Sequence, residues 1–180
     1  MAVWREVRRS GALQLQQSVV AFPDGEPFER AVARIRAVVD EVGGSVVALR
    51  AEPLDAADDA RLRAAWNQAR AEEYGELISE CGKLVDEIDE EFAKQKFTLA
   101  ELDEEEAELD KLKRWHERIT ARDVCGCDRA GDAETAMEQA SEALARYTTA
   151  VFDRTHGDAE IEHDLPAEPS PATRGRSSER

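Results

Sequence analysis

The sequence lacks several features that mark whole classes of protein. It has no apolar run near the roughly 20 residues that a membrane-spanning helix requires, and no signal-peptide pattern. Only three cysteines occur among 180 residues, which is too few for a disulfide scaffold and typical of a reducing compartment. We therefore expect a cytoplasmic protein that has no membrane partner.

Basic residues are far outnumbered by acidic ones. The chain has 24 Lys and Arg against 40 Asp and Glu, a formal net charge of −16, and the acidic excess is concentrated in residues 51–110. A chain this acidic repels nucleic acid as a whole, so any contact with DNA needs a local basic face. The sequence also has no Gly-rich phosphate loop, nucleophile motif or repeated pair of metal ligands, so we expect neither an enzyme nor a cofactor or metal.

What the sequence does contain is a strong helical hairpin pattern between residues 58 and 123. Through residues 58–94 apolar side chains recur at steps of three and four, and no Pro or Gly pair interrupts them. This spacing is typical of one face of a long helix. Thr98 and Glu101 then form the capping-box pattern that begins a second helix.

The pairing of these two helices follows from a turn centred near residue 96. Antiparallel neighbours then have residue numbers that sum to about 192, which places Leu77 opposite Trp115 and Arg70 close to Arg122. The same register predicts that Trp115 is a core residue and that Glu105 is exposed.

The N-terminal quarter has the pattern of a small α/β unit. The expected elements are a helix over 2–10, one strand or two separated by a bulge near Ser18 over 12–22, a helix over 26–42 and a buried strand over 45–51. Two strands make a poor sheet with open edges. Either another part of the chain covers that edge, or the coding sequence begins upstream of Met1.

The remaining pattern completes the predicted organisation. A third helix is expected from residue 132 to about 154, followed by a disordered tail rich in Pro, Glu, Ser, Thr and Arg. The predicted fold is α+β, with a small, incomplete sheet, which resembles a ferredoxin-like one, joined to a long antiparallel helical hairpin and a third helix. Its parts are a ferredoxin-like unit at 1–54, the hairpin with the third helix at 55–155, and the tail at 156–180.

Several short motifs, taken in order, make the chain similar to a known family over roughly residues 2–152. They are Trp4-Arg5-Glu6-Val7, Ser10-Gly11-Ala12, Leu15-Gln16-Gln17-Ser18-Val19, Phe22-Pro23, Gly43-Gly44, Trp66-Asn67 with Arg70 and Glu73-Tyr74, Phe97-Thr98 with Glu101-Leu102, and Leu112 with Trp115, Arg118-Ile119 and Arg122-Asp123. Together they resemble the N-terminal domain of the chromate-resistance protein ChrB. Each motif is weak alone, and their order and spacing carry the resemblance.

The resemblance implies a bacterial, cytosolic protein tied to chromate resistance and described in the family as a chromate-responsive transcriptional regulator. The chain departs from the family in two ways. It lacks the apolar strand and the Pro/Ser/Arg segment that precede the Trp-Arg helix, and it lacks the second, C-terminal domain of longer members. A role that resides in that second domain is not carried over.

Three sets of residues are candidates for binding or chemistry. The first is Arg70, Arg118 and Arg122, because guanidinium forks suit a tetrahedral oxyanion such as chromate. The more ordinary interpretation is that arginines here neutralise the glutamates of the facing helix.

The second set is the thiol pair Cys125 and Cys127. Chromate could oxidise neighbouring thiols, but Cys-x-Cys is too short for the usual structural zinc spacing. Cys81 lies on the apolar stripe and is predicted to be a small core residue.

The third set is Arg5, Arg8 and Arg9 on the first helix, which form the best candidate for contact with promoter DNA. The alternative is a solvated helix face beside a core Trp.

We expect a non-catalytic, chromate-responsive regulatory or accessory protein that forms a homo-oligomer, with promoter DNA and chromate as its predicted partners. The alternative is a protein–protein interaction or oligomerisation module built on the hairpin. A thiol-based reductant of chromate ranks last.

Overall fold

The computed structural model describes residues 2–163, with side chains placed for residues 2–155. This part of the chain contains α1 (Ala2–Arg9), β1 (Leu13–Gln16), β2 (Val19–Ala21), α2 (Glu26–Asp40), α3 (Ala56–Lys94), α4 (Leu99–Thr120) and α5 (Ala130–His163). Helices α3, α4 and α5 pack on one another as a bundle, and β1 contacts α3. The α+β class is confirmed, and helices dominate it.

The predicted helical hairpin is confirmed. Helix α3 has 39 residues and begins at the cap Asp55, whose carboxylate accepts hydrogen bonds from two backbone amides. It ends at Gln95, which has a left-handed backbone conformation with φ 54°. The hydroxyl of Thr98 caps α4 by accepting from the amide of Glu101 at 3.3 Å. The local chemistry of the turn thus accounts for both helix boundaries.

The bundle core lies along the apolar stripe of α3. Its side chains pack against α4 on one side and α5 on the other. Cys81 contacts Met137, and the carbonyl of the turn residue Lys96 accepts a hydrogen bond from the Tyr147 hydroxyl. Helix α5 therefore runs parallel to α3. The innermost residues are Tyr74, Leu77, Cys81, Leu84, Ile88, Leu112, Ile119, Ala133, Ala140, Ala143, Tyr147 and Val151. No helix within residues 2–163 is long and apolar enough to cross a membrane.

The N-terminal unit follows the prediction up to residue 44. Helices α1 and α2 form where expected and contact each other, and Gly43 ends the turn after α2 with φ 71°. Residues 12–22 form two strands, an antiparallel hairpin that turns at residues 17–18 and has an irregularity between Gln14 and Gln16. Phe28 of α2 packs edge-on against Trp66 of α3, with ring centroids 5.8 Å apart, and so fixes this unit to the bundle.

The predicted strand over residues 45–51 is wrong. This segment has no regular secondary structure, and Val47 and Leu49 are 83% and 84% exposed. A strand needs a neighbour that pairs its backbone groups, and the sheet among the described residues has only β1 and β2. The ferredoxin-like arrangement predicted for residues 1–54 is therefore not confirmed.

The third helix is longer than predicted. Its apolar face is buried as expected, but α5 continues to His163, where the sequence predicted a tail from residue 156. The helix continues because residues 156–163 contain no Pro and have one Gly, a cost of about 1 kcal/mol that a long helix tolerates. The rest of the predicted tail, residues 164–180, lies outside the described residues.

Two side chains of the α3–α4 pair depart from the predicted exposure. Trp115 is only partly buried and lies against the core from outside. Glu105, predicted to be exposed, is 9% exposed. Burial, together with the nearby carboxylates of Glu87, Glu101, Glu91 and Glu104, raises the pKa of Glu105 from its ordinary value of 4.5 to about 7.

This raised pKa predicts a pH-dependent stability. The folded protein holds a proton on Glu105 that the unfolded chain releases above about pH 4.5. The contribution of this proton to the free energy of unfolding is therefore fully present below pH 4.5 and is lost as the pH rises through about 7. Between pH 5 and pH 8 the Glu105→Gln variant should gain up to about 2–3 kcal/mol in free energy of unfolding relative to the unsubstituted protein. Urea unfolding at the two pH values measures the difference. Asp103→Asn, at an exposed position of α4, is the control, and an equal gain in both variants would contradict the assignment.

Candidate functional site

The candidate site lies where the end of α4 meets the first half of α3 and the N-terminal unit. The hairpin register brings Arg70 of α3 and Arg122, which follows the last turn of α4, to the same place, as predicted. The Nε group of Arg122 donates to the carbonyl of Arg118 at 2.8 Å, which folds the side chain back toward α3.

One carboxylate serves both guanidinium groups. Arg122 Nη2 donates to Glu73 Oε2 at 3.0 Å, and Arg70 Nε lies 3.2 Å from the same oxygen. The second contact is a charge contact only, because the direction of the N–H group does not suit a hydrogen bond. Two cations and one anion leave this cluster with one excess positive charge.

The same two arginines hold the N-terminal unit. Arg122 Nη1 donates to the carbonyl of Arg9 at 3.1 Å, and Arg70 Nη1 approaches the carbonyl of Gly11 at 3.5 Å. Arg70 is 3% exposed and lies over the ring of Trp66, with 5.7 Å from its Cζ to the ring centroid. The Trp66 indole in turn donates to the carbonyl of Arg122 at 3.4 Å. The loop after α1 is therefore attached to the bundle through guanidinium groups.

Gly11 is the residue of this cluster that the sequence did not place there. A Gly at the end of a helix is normally interpreted as a stop signal, and its φ of +71° agrees with that role. A Cβ atom here would also lie 2.6 Å from Arg70 Nη1 and 2.7 Å from Arg122 Cδ. The close approach of two arginines from distant parts of the chain has no local sequence pattern.

The electrostatics of Arg122 differ from those of a surface arginine. Burial lowers its pKa, the positive charges of Arg70 and Arg118 act in the same direction, and Glu73 opposes them. Of the three predicted oxyanion ligands, the structure brings together Arg70 and Arg122. Arg118 is exposed and contributes its charge and its carbonyl to the cluster, while its guanidinium makes none of the contacts to Glu73.

The predicted DNA-contact residues lie next to this cluster. Arg5, Arg8 and Arg9 are exposed on α1, and Trp4 beside them is 38% exposed. The carbonyl of Arg9 is the group that Arg122 holds. The arginine cluster and the basic face of α1 are thus coupled by one hydrogen bond.

The predicted thiol pair lies in the loop between α4 and α5. Cys125 is partly buried near Arg63, and Cys127 is buried with its thiol 3.7 Å from the carbonyl of Asn67. Asp123 shapes the loop, since it accepts from the amide of Cys127 at 3.0 Å and from the hydroxyl of Tyr74 at 3.3 Å. All three cysteines are free, and burial raises the pKa of the Cys81 thiol. Within the described side chains, no group of three or more His, Cys, Asp or Glu is arranged to hold a metal ion.

Comparison with known proteins identifies a family. The family described as "Protein ChrB, N-terminal" matches residues 1–158 of the chain. No curated protein and no solved structure matches.

The packing at Gly11 predicts that alanine substitution changes the free energy of unfolding in opposite directions at Gly11 and at Gly82. Gly11→Ala should lower the free energy of unfolding by about 2–3 kcal/mol, because it adds left-handed strain of about 1 kcal/mol and forces both arginines aside. Gly82→Ala, with open space around a helical position, should raise it by up to about 1 kcal/mol. Denaturant melts measure both, and a Gly11→Ala protein as stable as the unsubstituted one would show that the arginines do not pack closely there.

Proposed function

Because the chain belongs to the ChrB N-terminal family, we propose that it is a chromate-responsive regulatory or accessory protein of bacterial chromate resistance. Family membership indicates involvement in chromate resistance. The finer proposal is that the protein works in the cytoplasm without catalysis, binds chromate through arginines and passes the signal to DNA.

One observation carries this proposal. Arg122 bonds Glu73 of α3 and the carbonyl of Arg9 at the end of α1 with the two terminal nitrogens of one guanidinium. An anion that engages this group must compete with both partners. Binding at Arg122 therefore changes how firmly α1 is held, which is the differential contact that a ligand-driven switch requires.

The neighbouring residues lower the free-energy cost of displacing these two partners from Arg122. Chromate is a dianion, and charge-assisted hydrogen bonds from a guanidinium contribute roughly 1.5–3 kcal/mol each. Arg118 lies one helical turn before Arg122 and is exposed, so both can reach one anion. Glu73 keeps Arg70 as a partner when Arg122 leaves, so no carboxylate is left alone.

The expected output is a change at α1. Arg5, Arg8 and Arg9 are exposed and can contact DNA phosphates, and the hydrogen bond to Arg9 sets the position of the last turn of this helix. Chromate binding would release that turn and weaken the DNA complex. In this mechanism Cys125 and Cys127 have no role.

A second function has its own support. Val47, Leu49 and Leu54 are 83%, 84% and 96% exposed in the unpaired segment between α2 and α3. An unpaired apolar segment suits self-association or docking to a partner. The alternative is therefore still a protein–protein interaction or oligomerisation module, but its support is this exposed segment and not the hairpin on which the sequence placed it.

A salt titration separates the two functions. Binding to promoter DNA of the protein's own operon should weaken as salt rises, and replacing Arg5, Arg8 and Arg9 together by Ala should reduce the log–log salt slope by up to about three. The control removes equal charge from α2 and α3 as Arg30→Ala, Arg36→Ala and Arg61→Ala, and should leave the slope unchanged. Absence of promoter binding at low salt would favour the interaction module.

Calorimetric titration with chromate tests the arginine route. Binding should be fast and reversible, sulfate should compete because it has the same charge and shape, and Arg122→Ala should abolish binding. Arg146→Ala, which removes an exposed arginine of α5, should have no effect. A response that survives Arg122→Ala and disappears in the Cys125→Ser/Cys127→Ser variant would assign sensing to thiol oxidation.

A further inference from the structure

The segment between α2 and α3 is an extended stretch of chain that lies along α2. It starts where the amide of Gly44 donates to the carbonyl of Val39 at 3.0 Å, near the end of α2. Farther along, Arg50 Nη2 donates to Glu29 Oε1 at 2.6 Å, in the first turn of the same helix. Residues 45–51 therefore run back along α2 in the antiparallel direction and have a defined position.

The two faces of this segment differ in exposure. Val46 is partly buried, and Arg50, which is on the same face, reaches α2. Val47 and Leu49 are on the opposite face and are exposed. This alternation has the period of two that a β-strand has. Within the described part of the chain, the backbone groups of residues 45–51 make no backbone–backbone hydrogen bond, so both edges of the strand are open to another strand.

The exposed apolar side chains of the segment are symmetric about Ala48. Val47 and Leu49 are one position from it, Val42 and Leu54 are six positions from it, and all four are 72–96% exposed. When two identical strands pair antiparallel about a twofold axis at Ala48, facing residues have numbers that sum to 96. Val47 then faces Leu49 of the second copy. The flanking Val42 comes opposite Leu54 in the same way. A second copy of the chain thus offers each of these side chains an apolar partner.

The charge distribution also favours a second copy at this surface. The chain has a net charge of −16 with the acidic excess in residues 51–110, so two copies repel each other across their hairpins. Residues 42–54 contain one Arg and one Glu, and their net charge is zero. Two copies can therefore approach each other along this segment with little repulsion.

We propose that two copies of the chain associate by antiparallel pairing of residues 45–51 about a twofold axis at Ala48. This inference rests on the interaction module given above as the alternative function, and it names the partner of that module. A sheet of two strands is marginal alone, and here each strand has its own α2 packed along one face as support.

The size of the interface indicates a weak dimer. Burying a Val or Leu removes roughly 60–120 Å² of apolar surface from water, and each copy contributes Val42, Val47, Leu49 and Leu54. The total is at the lower end of the range of specific interfaces, which begins at about 1,200 Å². We therefore expect a dissociation constant in the micromolar range and a rapid monomer–dimer equilibrium.

Sedimentation equilibrium of the full chain over a range of micromolar concentrations tests the proposal. Val47→Asp and Leu49→Lys should each weaken the dimer about tenfold or more, because each places a charge opposite an apolar side chain. An equimolar mixture of the two variants should regain most of the affinity, since the two introduced charges then face each other and the second pair is the native one. Leu99→Asp, which changes an exposed leucine at the start of α4, is the control and should leave the dimer unchanged.

Hydrogen exchange distinguishes strand pairing from non-specific association. The amides of residues 45–51 should become protected as the protein concentration rises, and this protection should be lost in Val47→Asp. A synthetic peptide of residues 44–53 should compete with the dimer, whereas a scrambled peptide of the same composition should not.

Three outcomes would overturn the proposal. The first is a protein that stays monomeric throughout the concentration range. The second is a dimer that Val47→Asp and Leu49→Lys do not weaken, or that their mixture does not restore. The third is equal competition by the scrambled peptide, which would assign the open edge to any apolar strand. Because both substituted side chains are exposed, the variants should melt at the same temperature as the unsubstituted protein, which a thermal melt checks.

The dimer and the chromate response fail independently. A monomer that still binds chromate through Arg122 would overturn the dimer and leave the regulatory function in place. A dimer that binds neither chromate nor promoter DNA would support the pairing of residues 45–51 and overturn the regulatory function.

Discussion

The burial of one apolar stripe of α3 between α4 and α5 is the constraint on which the rest of the structure depends. Leu77, Cys81, Leu84 and Ile88 are almost completely buried along this stripe. Interiors packed to this density tolerate little displacement, so the register of α4 against α3 is set for the whole hairpin. The arginine cluster, which joins α3 to the end of α4, takes its position from that register.

The two ends of the hairpin use charge in opposite ways. Near the end of α4, Arg70 and Arg122 share Glu73, and their remaining N–H groups point at backbone carbonyls of the N-terminal unit. Toward the turn, Glu105 is 9% exposed and lies near the carboxylates of Glu87, Glu91, Glu101 and Glu104. The guanidinium cluster and this carboxylate cluster are separated by several helical turns.

The arginine cluster also explains how a small N-terminal unit stays attached to a long bundle. Phe28 of α2 packs against Trp66 of α3 and supplies an apolar attachment. The carbonyls of Arg9 and Gly11 add polar attachments that an anion can compete for, whereas apolar packing is indifferent to ions. The N-terminal unit is therefore held both by ring packing and by guanidinium groups.

The sequence by itself determined the elements whose cause is local. The 3.6-residue period of α3, the Thr98 cap of α4, the apolar face of α5 and the glycine stop after α2 are all visible in short stretches, and the register followed from matching two such stretches. The same register correctly placed Arg70 beside Arg122. Tertiary structure decided what depends on distant partners. Residues 45–51 have strand-forming side chains but no neighbour to pair with. Glu105 is charged yet only 9% exposed, and Gly11 must admit two arginines from 59 and 111 positions away. Burial and pairing are properties of the surroundings, so no local pattern records them.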